Sequence, residues 1–174
     1  QYVNIPEEDI EVNEGVEENL EEYRNILLLG LDSTSFTGSR SDCIILVTIN
    51  NRTKNVKLTS IYRDSYLDIN NYGLDKITHA YAYGGPALSM SSINKNLDLN
   101  VKEFATVNFD TVVSVVDAIG GVQIPITSEE VKYINTYIKA VNTQLGRNSS
   151  SITTPGTYTL DGVQALAYSR IRYT

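Results

Sequence analysis

"CIILVTINNRTKNVKLTSIY", from Cys43 to Tyr62, decides the fold. "CIILVTI" is a run of apolar and β-branched residues of strand length. "NNRTKN" is a cluster of turn-forming residues. "VKLTSIY" alternates and is again β-branched. Two strands joined by a loop of several residues make an antiparallel hairpin, so the domain is built on a sheet.

The reading extends outward from that hairpin. Upstream, "RNILLLGLD" is a buried strand from Asn25 to Leu29, closed by Gly30 and Asp32, with the polar loop "STSFTGSRSD" after it. Downstream, "DKITHAYAYGGPALSMSSINKNLDLN" has helical character, broken at Gly84-Gly85, and Pro86 suits the first turn of a new helix. "EFATVNF" is a further strand. Asp110 is placed to cap the helix "TVVSVVDAI", which ends at Gly120-Gly121. "VQIPI" is a short strand with an edge-type proline, Pro125. Thr127 and Glu130 have capping-box spacing for "SEEVKYINTYIKAVNTQL". "TYTL" is a last strand, and Asp161 caps the helix that carries "GVQALAYSRIR". Strands and helices alternate, which gives an α/β or α+β architecture.

The length of 174 residues leads to one domain with a sizeable core. The net charge of −7 is unevenly spread. Residues 1–22 carry nine acidic and no basic side chains; the remainder carries 14 basic and 12 acidic ones. The acidic stretch has the composition of a solvated linker. An acidic chain without a basic run is a poor nucleic-acid binder. No apolar run is long enough to span a bilayer. Cys43 is the single cysteine, so no disulfide forms within the chain, and its apolar strand makes it a core residue.

The chemistry gathers at element ends, where a rigid scaffold commonly presents function. Arg40 enters the second strand, Arg63 ends the third, and Arg170 and Arg172 end the last helix. An arginine fork binds phosphate oxygens in bidentate fashion, and it serves equally in an ion pair or at a helix C-terminus. Asp32, Asp42 and Asp64 occupy comparable positions. Such carboxylates hold Mg²⁺ beside phosphate, or pair with the arginines. No P-loop, nucleophile elbow or zinc-type cluster is present. His79, the only histidine, reads as a helix residue at the rim of this region.

"NILLLGLDS", "SRSDCIILVTIN", "VKLTSIYRDSYLDI", "DKITHAYAYGG", "VNFDTVVSVVDAIGGVQI" and "GTYTLDGVQALAYSRIR" occur in this order. Together they resemble the catalytic domain of the LytR-CpsA-Psr family, from about Arg24 to Thr174. The resemblance implies an acidic linker or stalk remnant over 1–22 and a catalytic domain over 23–174 whose C-terminal part is missing. It implies a central mixed sheet flanked by helices, with a hydrophobic groove for a lipid.

The implied activity is transfer of an anionic glycopolymer, such as wall teichoic acid or capsule, from a polyprenyl-pyrophosphate carrier to peptidoglycan. The implied setting is the extracytoplasmic face of a Gram-positive membrane, through an N-terminal anchor helix. Asp32 and Asp42 match metal-associated aspartates, with Mg²⁺ or Mn²⁺ as the ion. Arg40, Arg63, Arg170 and Arg172 match arginines on the pyrophosphate, and Lys76 resembles a basic residue near it. Arg40, Arg63 and Asp64 are the expected catalytic residues, with Asp64 or a metal-site aspartate as the base. Tyr62 stands where the family often has proline.

"ITHAYAYGGPALSMSSI" and the valines of "TVVSVVDAI" are candidates for groove lining or for core. Two other functions compete. Water in place of the acceptor hydroxyl makes a polyprenyl-pyrophosphate hydrolase. Binding without turnover makes a regulatory or attachment module.

Overall fold

The computed structural model describes residues 5–16 and 20–172. The chain divides into two compact units, residues 1–108 and 109–174, where length alone leads to one. Each is described by itself.

The first unit is built on a mixed four-stranded sheet. β1 (Tyr23–Leu31), β2 (Ser41–Asn50), β3 (Val56–Ile61) and β6 (Glu103–Val107) lie in the order β3-β2-β1-β6. β1 is antiparallel to β2 and parallel to β6; β2 and β3 form the expected antiparallel hairpin. Leu27, Leu29 and Leu31 of β1 alternate into the core, as do Ile44 and Leu46 of β2. Each such side chain contributes ~1.5–3 kcal/mol when fully buried. They meet Ile77, Ala80, Tyr81, Met90 and Ile93 from α1 (Thr78–Leu97) and its entry. The mixed α/β architecture is therefore as expected.

Between β3 and α1 the chain forms a small antiparallel hairpin, β4 (Tyr66–Ile69) and β5 (Gly73–Lys76). The sequence reading placed Asp75 and Lys76 in the helix instead. α1 breaks where expected: Gly85 has φ +66°, and Pro86 opens the second half.

Two expectations for this unit are corrected. Cys43 is exposed and lies outside the core. The alternation that sends Ile44 and Leu46 inward turns Cys43 the other way. The acidic N-terminal stretch is not simply a solvated linker. Ile10 and Val16 are buried, and Glu11 is held by three partners. Its backbone N–H donates to Ser91 Oγ (3.0 Å), its carboxylate accepts from Asn70 Nδ2 (2.6 Å) and its carbonyl accepts from Asn94 Nδ2 (3.1 Å). Glu17 and Glu18 lie outside the described residues.

The second unit holds α2 (Phe109–Ala118), β7 (Val122–Ile126), α3 (Ser128–Leu145), β8 (Gly156–Leu160) and α4 (Gly162–Ser169). β7 and β8 form an antiparallel pair. Val113, Ile126, Ile134, Ile138, Leu160 and Leu166 form its core. Both expected caps are present. Thr127 and Glu130 close a capping box on α3, and Asp161 and Gln164 close one on α4. Asp110 does not cap α2; it lies inside the first turn and pairs with Arg147 at 3.1 Å. The segments left open between groove and core divide: Tyr81, Met90, Ile93 and Val113 are core, whereas Val115 and Ile119 are exposed.

Candidate functional site

The site of the first unit lies where β1 and β3 end and β2 begins. The β1–β2 register explains it. Gly30 pairs with Cys43 and Leu31 with Ser41, so Asp42 is the extra, unpaired residue of a β-bulge. A bulge re-aims a side chain at a sheet end. Gly30 suits this register, because a Cβ there would come within 2.9 Å of Cys43 Cβ.

Asp42 receives Arg63, which follows the end of β3. Arg63 Nη1 donates to Asp42 Oδ2 at 2.7 Å, and Arg63 Nε lies 3.5 Å from Asp64 Oδ2. Asp64 Oδ1 accepts from Lys76 Nζ at 2.7 Å. Four charged side chains, Asp42, Arg63, Asp64 and Lys76, thus form one continuous network. Backbone bonds fix its frame: Ile77 N–H donates to Ser65 O (2.9 Å) and Thr78 N–H to Arg63 O (3.1 Å). Thr78 Oγ1 reaches Asp42 Oδ1 at 3.5 Å. Asp32 and Arg40 form a second pair at 3.2 Å. Asn108, buried just past β6, donates to Thr34 O at 2.7 Å and ties down the loop between Asp32 and Arg40.

These pairs are half-exposed, so each contributes about 0–1 kcal/mol to stability. Their arrangement says more than their energy. Three cations are gathered on one loop cluster and each is matched by a carboxylate. The Lys76 ammonium, with Arg63 beside it, holds the Asp64 carboxyl below the usual carboxylate range. That lowers its strength as a general base.

Asp32 and Asp42 are the carboxylates expected to hold a metal. Among the described residues no group of three or more His, Cys, Asp or Glu side chains is arranged for an ion. Two carboxylates fit Mg²⁺, which takes one or two protein carboxylates and completes its shell with water and phosphate oxygens.

Arg170 and Arg172 belong to the second unit. Arg170 follows α4, and its guanidinium lies over the Phe109 ring, 5.2 Å from the centroid. Its Nη1 is buried with no hydrogen-bond partner among the described residues. Arg172 is exposed.

One constellation beside the site went unread. Asp75 Oδ2 accepts from Tyr83 Oη at 2.8 Å and lies 2.9 Å from His79 Nδ1. These bonds bring the Asp75 pKa down to about 2, with His79 the largest cause. The four-residue spacing of 75, 79 and 83 was the available signal.

The chain is similar to known proteins over most of its length. The teichoic acid transferase TagT of Bacillus subtilis (strain 168), named as polyisoprenyl-teichoic acid–peptidoglycan teichoic acid transferase, is 37% identical over 153 residues. The match covers 85% of this chain and 45% of that protein. TagU of Enterococcus faecalis (strain ATCC 700802 / V583), which bears the same transferase name, is 34% identical over 160 residues, 89% of this chain and 47% of that protein. The chain spans about half the length of these curated relatives. A solved structure of the LytR-CPS2A-psr family protein YwtF (TagT), with bound octaprenyl pyrophosphate lipid, superposes with a TM-score of 0.69 at 33% identity. It covers 98% of this chain and 66% of that one. The LytR_cpsA_psr family pattern matches residues 4–174. The chain belongs to the LytR_cpsA_psr family.

Proposed function

We propose that this chain carries the catalytic domain of a phosphotransferase. The enzyme moves an anionic glycopolymer, of the wall teichoic acid or capsule class, from a polyprenyl-pyrophosphate carrier to peptidoglycan at the extracytoplasmic face of a Gram-positive cell. The carrying observation is the Asp42–Arg63–Asp64–Lys76 network at a bulged strand end. It occurs in a chain similar to a protein that binds octaprenyl pyrophosphate. Among the described residues no helix is long and apolar enough to cross a membrane.

Phosphoryl transfer needs positioning and charge neutralisation more than covalent help. Arg40, Arg63 and Lys76 bind the pyrophosphate oxygens, exchanging their carboxylate partners for phosphate. Asp32 and Asp42 would hold Mg²⁺, which neutralises charge on the same oxygens. The acceptor hydroxyl oxygen attacks the phosphorus that bears the glycan. The bond from that phosphorus to the bridging oxygen breaks, polyprenyl phosphate leaves, and the hydroxyl proton passes to a carboxylate. Asp64, with its lowered basicity and two cationic neighbours, serves to orient Arg63 and Lys76. The base is one of the three carboxylates at the strand ends, Asp32, Asp42 or Asp64, each of which lies beside a cationic side chain. Arg170 and Arg172 are proposed as pyrophosphate ligands on the resemblance alone. Leu67 and Leu88, partly buried against the first core, are candidates to meet the isoprenoid chain.

The test is product analysis with a short polyprenyl-pyrophosphate-linked glycan, with and without peptidoglycan. Glycan phosphate joined to peptidoglycan supports transfer. Free glycan phosphate at the same rate in both cases would establish hydrolysis instead.

A further inference from the structure

Resting on the pyrophosphate and metal reading above, we propose that Thr78 is a positioning residue: its hydroxyl holds the Asp42 carboxylate in place when Arg63 leaves it for phosphate. Thr78 touches both members of the Asp42–Arg63 pair. Its backbone N–H donates to Arg63 O at 3.1 Å, and its Oγ1 lies 3.5 Å from Asp42 Oδ1. Arg63 takes the other oxygen, Asp42 Oδ2, at 2.7 Å. The carboxylate is therefore divided, one oxygen to each partner. The two partners differ in burial. The Arg63 side chain is 52% exposed, whereas Thr78 is 4% exposed. The arginine is free to turn to a ligand in solvent; the threonine stays where it is.

A threonine at the start of a helix commonly turns its hydroxyl onto the helix's own backbone. Here the hydroxyl goes elsewhere. The cap position of α1, Ile77, makes no side-chain cap bond, and Thr78 Oγ1 reaches Asp42, 36 residues away in sequence. Ile77 and Ala80 on either side are fully buried. A hydroxyl buried among such neighbours costs free energy unless it is bonded.

At 3.5 Å the contact is long for a hydroxyl on an oxygen acceptor, which ordinarily sits at about 2.5–3.0 Å. While Arg63 is bonded, its shorter, charged bond sets the place of the carboxylate. Once Arg63 grips phosphate, Asp42 loses that partner, and Thr78 Oγ1 is the donor already in place to close on Oδ1. Oδ2, the oxygen that Arg63 vacates, is then the one turned to the divalent ion. Fixing the oxygen that does not bind the ion orients the one that does, as outer-shell partners of metal ligands do.

The experiment measures Mn²⁺ binding in the presence of farnesyl pyrophosphate, by electron paramagnetic resonance, on the full chain. Thr78→Val removes the hydroxyl and nearly keeps the shape. It is expected to weaken Mn²⁺ binding about tenfold or more, the scale for a residue that orients a metal ligand. Thr78→Ser keeps the hydroxyl and the parent affinity. Both variants retain the backbone bond to Arg63 O, so the midpoint of denaturant unfolding stays at the parent value. Mn²⁺ affinity that is unchanged in Thr78→Val but lost in Asp42→Asn overturns the role of Thr78 alone. Equal losses in Thr78→Val and Thr78→Ser overturn it too, because they assign the effect to packing rather than to the hydroxyl. If Thr78→Val fails to fold, Thr78→Ser set against Thr78→Ala reads the same hydroxyl, and equal Mn²⁺ affinity in those two overturns the proposal. A parent that binds no Mn²⁺, or whose binding survives Asp42→Asn, overturns the metal reading on which the proposal rests.

Discussion

Asp42 and Arg63 meet at 2.7 Å although 21 residues separate them, one as the extra residue of a bulge and the other just past the end of the neighbouring strand. The β2–β3 pairing runs from Ile49–Val56 to Ile44–Ile61, which leaves both side chains beyond the last paired rung. Neither side chain belongs to a paired rung of the hairpin, and each has the other as its partner.

Asp32 and Asp42 are expected to bind a divalent ion only weakly until phosphate oxygens complete its shell. Mn²⁺ bound in the presence of farnesyl pyrophosphate, followed by electron paramagnetic resonance, is expected to be lost at least about tenfold in Asp42→Asn, the scale of one charged ligand. The same substitution should cost no more than about 1 kcal/mol in denaturant unfolding, because the Arg63 pair is half-exposed. Equal Mn²⁺ affinity in both proteins would remove Asp42 from the metal site.

Asp75 makes a pH prediction. Its folded pKa of about 2 lies below the ordinary 3.8. A depressed carboxylate stabilises the fold above its unfolded pKa and loses that contribution as the pH falls through the folded value. The window is therefore pH 4 down to 2. Carbon-detected NMR titration should place the Asp75 midpoint near 2 and move it upward in His79→Ala. A parent midpoint near 4 would mean that the hydrogen bonds to His79 and Tyr83 do not form.

Gly162 opens α4 against the backbone of α2. A Cβ built there would stand 2.1 Å from Val113 O, a backbone atom that cannot swing away. Gly162→Ala is expected to destabilise the second unit by ~1–3 kcal/mol or more, read as a lower midpoint in thermal unfolding. An unchanged midpoint would show that α4 can move off α2 at no cost.

Much of this was legible in the sequence, for identifiable reasons. β1, β2, β3 and β6 are apolar or β-branched runs with clear punctuation, and the Thr127 and Asp161 caps have box spacing. The β4–β5 hairpin was hidden because "YLDINNYGLDK" has too few apolar positions to set a period. Cys43 misled because a short apolar run does not reveal which face is buried. The bulge at Asp42 is a property of pairing register, which no single strand displays. Ile10 and Val16 were masked by the acids around them. For the site, strand ends and the family resemblance picked out Asp32, Arg40, Asp42, Arg63, Asp64 and Lys76. Composition alone left anion binding and surface ion pairs as alternatives, because both use the same residues.

The most direct measurement is the affinity of the chain for farnesyl pyrophosphate, with and without Mg²⁺, set beside that of Arg63→Ala. Arg63 sits at the centre of the network, and its fork is the group expected to grip phosphate. The account expects Mg²⁺-aided binding that falls at least about tenfold in the variant, the scale of one charged hydrogen-bonding partner. Binding of equal strength in the parent and in Arg63→Ala would contradict it, and would return the charged strand end to the role of a surface ion pair.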